Sequence, residues 1–290
     1  MGYVYLLLQA LIFSFGGILI KTAAGSFSPF MMSFLRFALG ALLLTLLQLV
    51  RGRRPRVRLL SGMIVFGGLA KALHYLGENY GVSHGFSYGI VITWPVQTVV
   101  ILLISVLVLK EKVTRRAVIG ALLCVGGIVL LTWNGMPLDQ FIGGQGPLLL
   151  SFVLAGIGAS LFSVAQKKLL NTMSAIDLNN SMFIIGGVCT ACIVPMTDAP
   201  VTGLTLPACL SMLALGAITG VGFLLQAEAL RTVPIFTATV VQSSMVIFSL
   251  LWATLLYHET ITAYIALGAA LFLAGILIVN QPGDKNGGKT

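Results

Sequence analysis

The sequence predicts an all-α polytopic membrane protein, with ten transmembrane helices arranged as two inverted five-helix repeats. Three observations predict it. Of 290 residues, 58% are apolar and only 9% charged, against roughly a quarter charged in a soluble domain, and a chain of this size needs a far larger charged surface to stay in water. The apolar residues gather into ten runs of spanning length. A shift of 148 residues lays the end of the second half on the end of the first.

A helix needs about 20 mostly apolar residues to cross a bilayer. The ten runs are 3–22, 29–50, 60–80, 84–109, 116–134, 147–170, 176–196, 207–230, 234–257 and 262–280. Pro29, Pro147, Pro207 and Pro234 each fall at or next to a start, where the missing N–H has no helical acceptor to lose. The first run has no basic stretch before it and reads as a retained span, not a cleaved signal. Leu6 stands where a myristoylation signal after Gly2 needs Ser or Thr. The cysteines (Cys124, Cys189, Cys192, Cys209) all lie inside apolar runs, so no disulfide framework is expected. Cys189 and Cys192 form a lone CxxC without a neighbouring histidine and read as small apolar fillers.

Orientation follows from the basic residues. Arg51, Arg53, Arg54, Arg56 and Arg58 lie between runs 2 and 3, and Lys110, Lys112, Arg115 and Arg116 between runs 4 and 5. Lys167 and Lys168, then Arg231, then Lys285 and Lys289 follow at alternate links and the tail. The other three, Lys21, Arg36 and Lys71, fall within runs, away from these links. Both termini are therefore expected in the cytoplasm, with the chain in the cell membrane. The net charge of +9 lies mainly in these short links, where it sets orientation, so no nucleic-acid partner is expected.

Under the 148-residue shift, Glu111 meets Glu259, Thr114 meets Thr262, Gly120 meets Gly268 and Gly127 meets Gly275. Each half holds five runs, an odd number, so the second half enters the membrane from the opposite side. Many secondary transporters share this plan, with the solute site near the midplane between halves. The stretches LKEKVTRRAVIGALLCVGGIVLL and LYHETITAYIALGAALFLAGILI resemble the two ends of EamA repeats in the drug/metabolite transporter superfamily. FLRFALGALLL, LFSVAQKKLL and EALRTVPIFTATVVQSSMVIFSLL resemble other parts of the same repeats. The resemblance implies a first repeat at 1–135, a second at 146–281 and a cytoplasmic tail at 282–290. It also implies a central cavity lined by spans 1–4 and 6–9, with spans 5 and 10 peripheral.

An ionisable group inside a bilayer costs a few kcal/mol, so each asks for a reason. Lys71, His74, Tyr75 and Glu78 are spaced i, i+3, i+4, i+7 and share one face of span 3. They either offer both signs of charge to a solute or neutralise one another. An imidazole titrates near 6.5, which makes His74 with Glu78 the candidates for proton coupling. Trp94-Pro95 stands near the middle of span 4, with Gln97 after it, and the repeat shift lays Trp94 on Gln242, followed by Ser243. These are candidate walls of one pocket. Arg36 is expected to pair structurally, and Glu111 and Glu259 to meet helix N-terminal amides. Gly81–Gly85–Gly89 and Gly216–Gly220 have the spacing that lets helix backbones approach.

No enzyme signature emerges. His258-Glu259 is followed by Thr262 where a zinc protease needs its second histidine, and no GxSxG string is present. No cofactor and no metal are expected. The sequence thus reads as a secondary transporter of a small polar or zwitterionic metabolite, such as an amino acid, working by alternating access with proton coupling, as a monomer or homodimer in the lipid bilayer. The alternatives are an organic-cation or drug exporter of the same fold, a channel or an intramembrane enzyme.

Overall fold

The computed structural model describes residues 1–85, 90, 93–108, 110, 114–135, 137, 146–197, 199–257 and 262–280. Glu111, Glu259, Gly89 and the tail from 282 lie outside them. Every regular element among the described residues is a helix: α1 Gly2–Ser14, α2 Gly16–Ala23, α3 Pro29–Val50, α4 Gly62–His84, α5 Thr93–Leu107, α6 Arg115–Trp133, α7 Gly146–Leu169, α8 Ala175–Ile193, α9 Leu206–Leu230, α10 Ile235–Gln242, α11 Met245–Tyr257 and α12 Ala263–Asn280. Gly2–Ala23, Pro29–Val50, Gly146–Leu169, Ala175–Met196 and Leu206–Leu230 are long and apolar enough to cross a bilayer, and shorter apolar helices accompany them. The chain is a multi-pass membrane protein.

Side-chain caps start three of the long helices. Ser28 Oγ accepts from Met31 N–H at 3.2 Å with Pro29 at the first position, and Ser174 Oγ accepts from Asp177 N–H at 3.2 Å. Thr205 Oγ1 accepts from Ala208 N–H at 3.4 Å. Each satisfies an amide that has no helical acceptor.

Three helices differ from the sequence expectation. The first span breaks at Phe15, between α1 and α2, and the ninth breaks at Ser243–Ser244, between α10 and α11. Ser14 Oγ donates to Leu11 O at 2.6 Å and Ser243 Oγ to Thr239 O at 2.9 Å, and such back-bonding bends helices. Gly16-Gly17 weakens the first site further. The first break packs on α11: Trp252 Nε1 donates to Ser14 Oγ at 2.8 Å, and Trp252 stacks on Phe15 at 4.7 Å. The fourth helix begins at Thr93 and not near 84, because α4 runs on to His84 and Gly85 caps it, donating to Gly81 O. Trp94-Pro95 therefore stands in the first turn of α5 and not mid-span. The proline costs no helical hydrogen bond there.

Packing relates the halves reciprocally. A Cβ on Gly127 of α6 would lie 2.5 Å from Gly268 O of α12, and one on Gly275 of α12 would lie 2.5 Å from Gly120 O of α6. Position 127 thus meets 268 while 120 meets 275, so these equivalent helices run antiparallel. That is the inversion in physical form. Each half also repeats one contact within itself. Lys21 Nζ donates to carbonyls at the end of α4, Gly85 O at 2.6 Å among them, and Lys167 Nζ donates to Leu230 O at 2.6 Å and Val233 O at 3.3 Å, at the end of α9. Lys21 is therefore a cap on exposed carbonyls, beyond the snorkelling its position suggests. Helices α4 and α7 approach through Gly77, facing Ser151 O, and Gly158, facing Ala70 O and the His74 backbone. Gly216 and Gly220 lie against Leu39, Gly40 and Leu43 of α3.

Both ends of the bundle are tied across the halves. At one end Ser28 N–H donates to Pro200 O at 3.0 Å, Thr202 N–H to Ser26 O at 2.9 Å, and Phe27 bridges Val201. At the arginine-rich end Asp177 Oδ1 accepts from Gln48 Nε2 at 2.6 Å and Arg56 N–H at 3.1 Å, while Ser181 Oγ accepts from Arg58 N–H at 3.0 Å.

Candidate functional site

Between these ties lies a cavity lined by α1, α2, α3, α4, α5, α7, α9, α10 and α11, with Ile90 beside α5. Its volume is about 30 Å³, room for one or two waters, so a solute of amino-acid size needs the halves or side chains to part.

The heart of the site is α4. Its helical spacing puts Lys71, His74, Tyr75 and Glu78 on the wall, and Gly77 of α4 and Gly158 of α7 let the two helices pack closely beside that face. Arg36 reaches them from α3. Its Nη1 donates to Glu78 Oε1 at 2.7 Å and Asn79 Oδ1 at 2.8 Å, and Asn79 Nδ2 donates to Ser33 Oγ at 2.8 Å. Glu78 Oε2 meets His74 Nε2 at 2.9 Å, and His74 Nδ1 meets Lys71 Nζ at 3.3 Å. An ammonium can only donate, so Nδ1 accepts and the Nε2–H donates to Glu78. The order is a chain, guanidinium to carboxylate to imidazole to ammonium.

Rings complete it. Lys71 Nζ is 3.6 Å from the Phe223 centroid, 4.2 Å from that of Tyr75 and 5.1 Å from that of Phe162, and the Arg36 guanidinium lies 3.6 Å above Tyr75. Ring faces attract such cations more strongly once water is removed. Thr219 Oγ1 donates to Leu215 O at 2.8 Å, so Tyr75 Oη donates the 2.7 Å bond to Thr219.

Trp94 and Gln97 of α5 and Gln242 of α10 line the same cavity. Ser243 does not: its hydroxyl turns back to Thr239 O. A second polar chain escapes sequence reasoning. Gln242 Nε2 donates to Gln9 Oε1 at 2.8 Å, Gln9 Nε2 to Gln226 Oε1 at 3.0 Å, Gln226 Nε2 to Ser163 Oγ at 2.9 Å, and Ser163 Oγ to Ala159 O at 2.9 Å. It ties α10, α1, α9 and α7 around the cavity. The sequence does hold a signal for it, since an amide within an apolar run must find a partner, and Gln9 and Gln226 are such residues.

The EamA-like transporter family matches residues 1–133 and 146–281. A protein of Archaeoglobus fulgidus described as an uncharacterized transporter is 25% identical over 270 residues, 90% of this chain and 91% of its own. A Ralstonia nicotianae protein with the provisional name chloride channel protein ClcB-like is 26% identical over 176 residues. This chain spans only 40% of that protein's length. A solved crystal structure is similar over 97% of this chain and 98% of its own, with a TM-score of 0.79 and 17% identity. At that identity the likeness speaks for the fold alone.

Proposed function

The chain belongs to the EamA-like transporter family, and we propose that within it the protein is a secondary transporter of a small organic solute with a charged or zwitterionic head group, of amino-acid size. The supporting observation is the charged cavity walled by both halves, between ties across the halves at the two ends of the bundle. In this reading the ten spans form repeats at 1–135 and 146–281. Spans 1–4 rock against spans 6–9, releasing the Ser26/Ser28 ties and the Asp177 ties in turn. The basic links place the Asp177 end, both termini and the 282–290 tail in the cytoplasm.

Lys71, His74, Tyr75, Glu78, Trp94, Gln97 and Gln242 form the solute site, with His74 and Glu78 as the coupling pair. Ser243 supports that site through the bend of α10. The groups facing His74 are Lys71, Tyr75 and Glu78 on its own helix and Arg36 of α3, which pairs with Glu78. A proton added at His74 Nδ1 removes the acceptor that Lys71 uses and frees the ammonium toward the solute. Protonation and solute binding are linked in that way.

The three rings around Lys71 favour one other reading, an exporter of organic cations, since a cation over ring faces is how such solutes are held. Lys71 itself fills that position here, which favours the first reading.

The test is counterflow in proteoliposomes, after a thermal-shift screen of amino acids, choline-like cations, nucleosides and sugars has given a ligand. Flux is expected to saturate and to show trans-stimulation. Flux that stays linear with concentration means a channel. His74→Gln is expected to keep solute exchange and lose its response to an imposed pH gradient; an unchanged response removes His74 from coupling.

A further inference from the structure

The cavity's polar groups do not balance. At their ordinary charges, Arg36 and Lys71 bring two cations to the wall and Glu78 brings one carboxylate. Both Glu78 oxygens are engaged, Oε1 by Arg36 at 2.7 Å and Oε2 by His74 at 2.9 Å. Among the described residues Lys71, fully buried, meets one imidazole nitrogen and three rings, and no carboxylate within ion-pair distance. Holding a buried ammonium without an anion is costly, and an arriving anion lifts that cost.

The neutral groups lean the same way. Gln9, Gln226 and Ser163 satisfy one another in their chain, into which Gln242 donates. Two buried donors on the lining find no partner among the described residues, the indole N–H of Trp94 and the Nε–H of Arg36. No lining residue shows a buried acceptor in that condition. The buried groups left without a partner on the lining are therefore donors, beside an excess of positive charge. A solute ammonium would find Glu78 already taken, whereas a single carboxylate would balance the charge and accept from these donors. Besides Gln97, the rest of the wall is largely apolar, with Phe13, Ile90, Phe162, Ile218, Phe223 and Met245.

We infer that the solute is a monocarboxylate with an apolar body, its carboxylate held by Lys71 and the indole N–H of Trp94. This rests on the transporter reading and narrows its substrate to the anionic class.

Four probes of one shape separate the charges: phenylacetate, phenylalanine, phenylethylamine and phenyl phosphate. Their binding to the purified full-length protein is measured by calorimetry, and their counterflow in proteoliposomes separately. Phenylacetate is expected to bind at least about tenfold more tightly than phenylalanine, and phenylethylamine not at all, as expected where a charged hydrogen bond is lost. Trp94→Phe keeps the ring and removes the N–H, and is expected to weaken phenylacetate about tenfold. Lys71→Met is expected to abolish its binding; should that variant misfold, Trp94→Phe carries the test alone. Preference for phenylethylamine or phenylalanine, preference for phenyl phosphate, no phenylacetate binding at millimolar concentration, or unchanged phenylacetate binding in Trp94→Phe each overturns the inference. Saturable transport of phenylethylamine alone overturns the carboxylate class and leaves the transporter. Trp94-dependent phenylacetate binding without saturable flux keeps the carboxylate site and overturns the transporter.

Discussion

The contact between α6 and α12 allows a sharp test of the inverted repeat, because it carries its own control. A Cβ added at Gly127 falls 2.5 Å from Gly268 O and 2.7 Å from Phe272 N; one added at Gly275 falls 2.5 Å from Gly120 O and 2.8 Å from Cys124 N. Ordinary contact starts at 3.4 Å, so each methyl is about 0.9 Å too close to backbone that cannot rotate away. The helices must separate, and a gap of roughly 0.5–1 Å forfeits a quarter to a half of each dispersion contact. Overpacking of this kind costs about 1–3 kcal/mol, and the better helix propensity of alanine returns about 0.5–1 kcal/mol. Gly127→Ala and Gly275→Ala are thus each expected to lose about 1–2 kcal/mol, and to match one another. Gly126, one residue away, faces open space, and Gly126→Ala is expected to gain up to about 1 kcal/mol. The assay is equilibrium unfolding in mixed micelles with rising denaturing detergent. Equal behaviour of Gly126→Ala and Gly127→Ala would refute the packing argument. A loss at only one of Gly127 and Gly275 would refute the reciprocity.

Glu78→Gln leaves the buried Arg36 guanidinium without its carboxylate and is expected to cost about 3–5 kcal/mol, while Arg36→Met with Glu78→Leu is expected to cost much less; the same unfolding assay compares them. Lys21→Met and Lys167→Met uncap carbonyls at the ends of α4 and α9 and are expected to lose similar amounts, about 1.5–3 kcal/mol each; a loss at one alone breaks the equivalence. In a background with the four native thiols replaced, a cysteine at position 54 is expected to react from the cytoplasmic side and one at 203 from outside. The opposite pattern reverses the proposed orientation.

The membrane class is legible in the sequence because lipid imposes one demand everywhere: every backbone polar group must be satisfied within its own helix. Long apolar runs, with prolines and serines at their starts, follow from that demand alone. The repeat is legible because Gly127 and Gly275 are equivalent small residues whose side-chain positions are filled by the backbone of the facing helix at Gly268 and Gly120. The shared face of Lys71, His74, Tyr75 and Glu78 follows from the 3.6-residue period. What the sequence leaves open is whatever depends on a second helix. Spacing pairs Glu78 with His74, but Arg36, 42 positions earlier, reaches Glu78 only once α3 packs on α4. The amide chain joins Gln9 to Gln226 and Gln242 across more than two hundred residues, and no local period records such a meeting. The breaks at Phe15 and Ser243–Ser244 sit in apolar runs that hydropathy reads as continuous, because a hydroxyl bonding back to its own helix changes direction without changing composition. Helix position, set by local chemistry, belongs to the sequence. The balance of charge around Lys71 belongs to the tertiary structure, because only packing decides which cations share the one carboxylate.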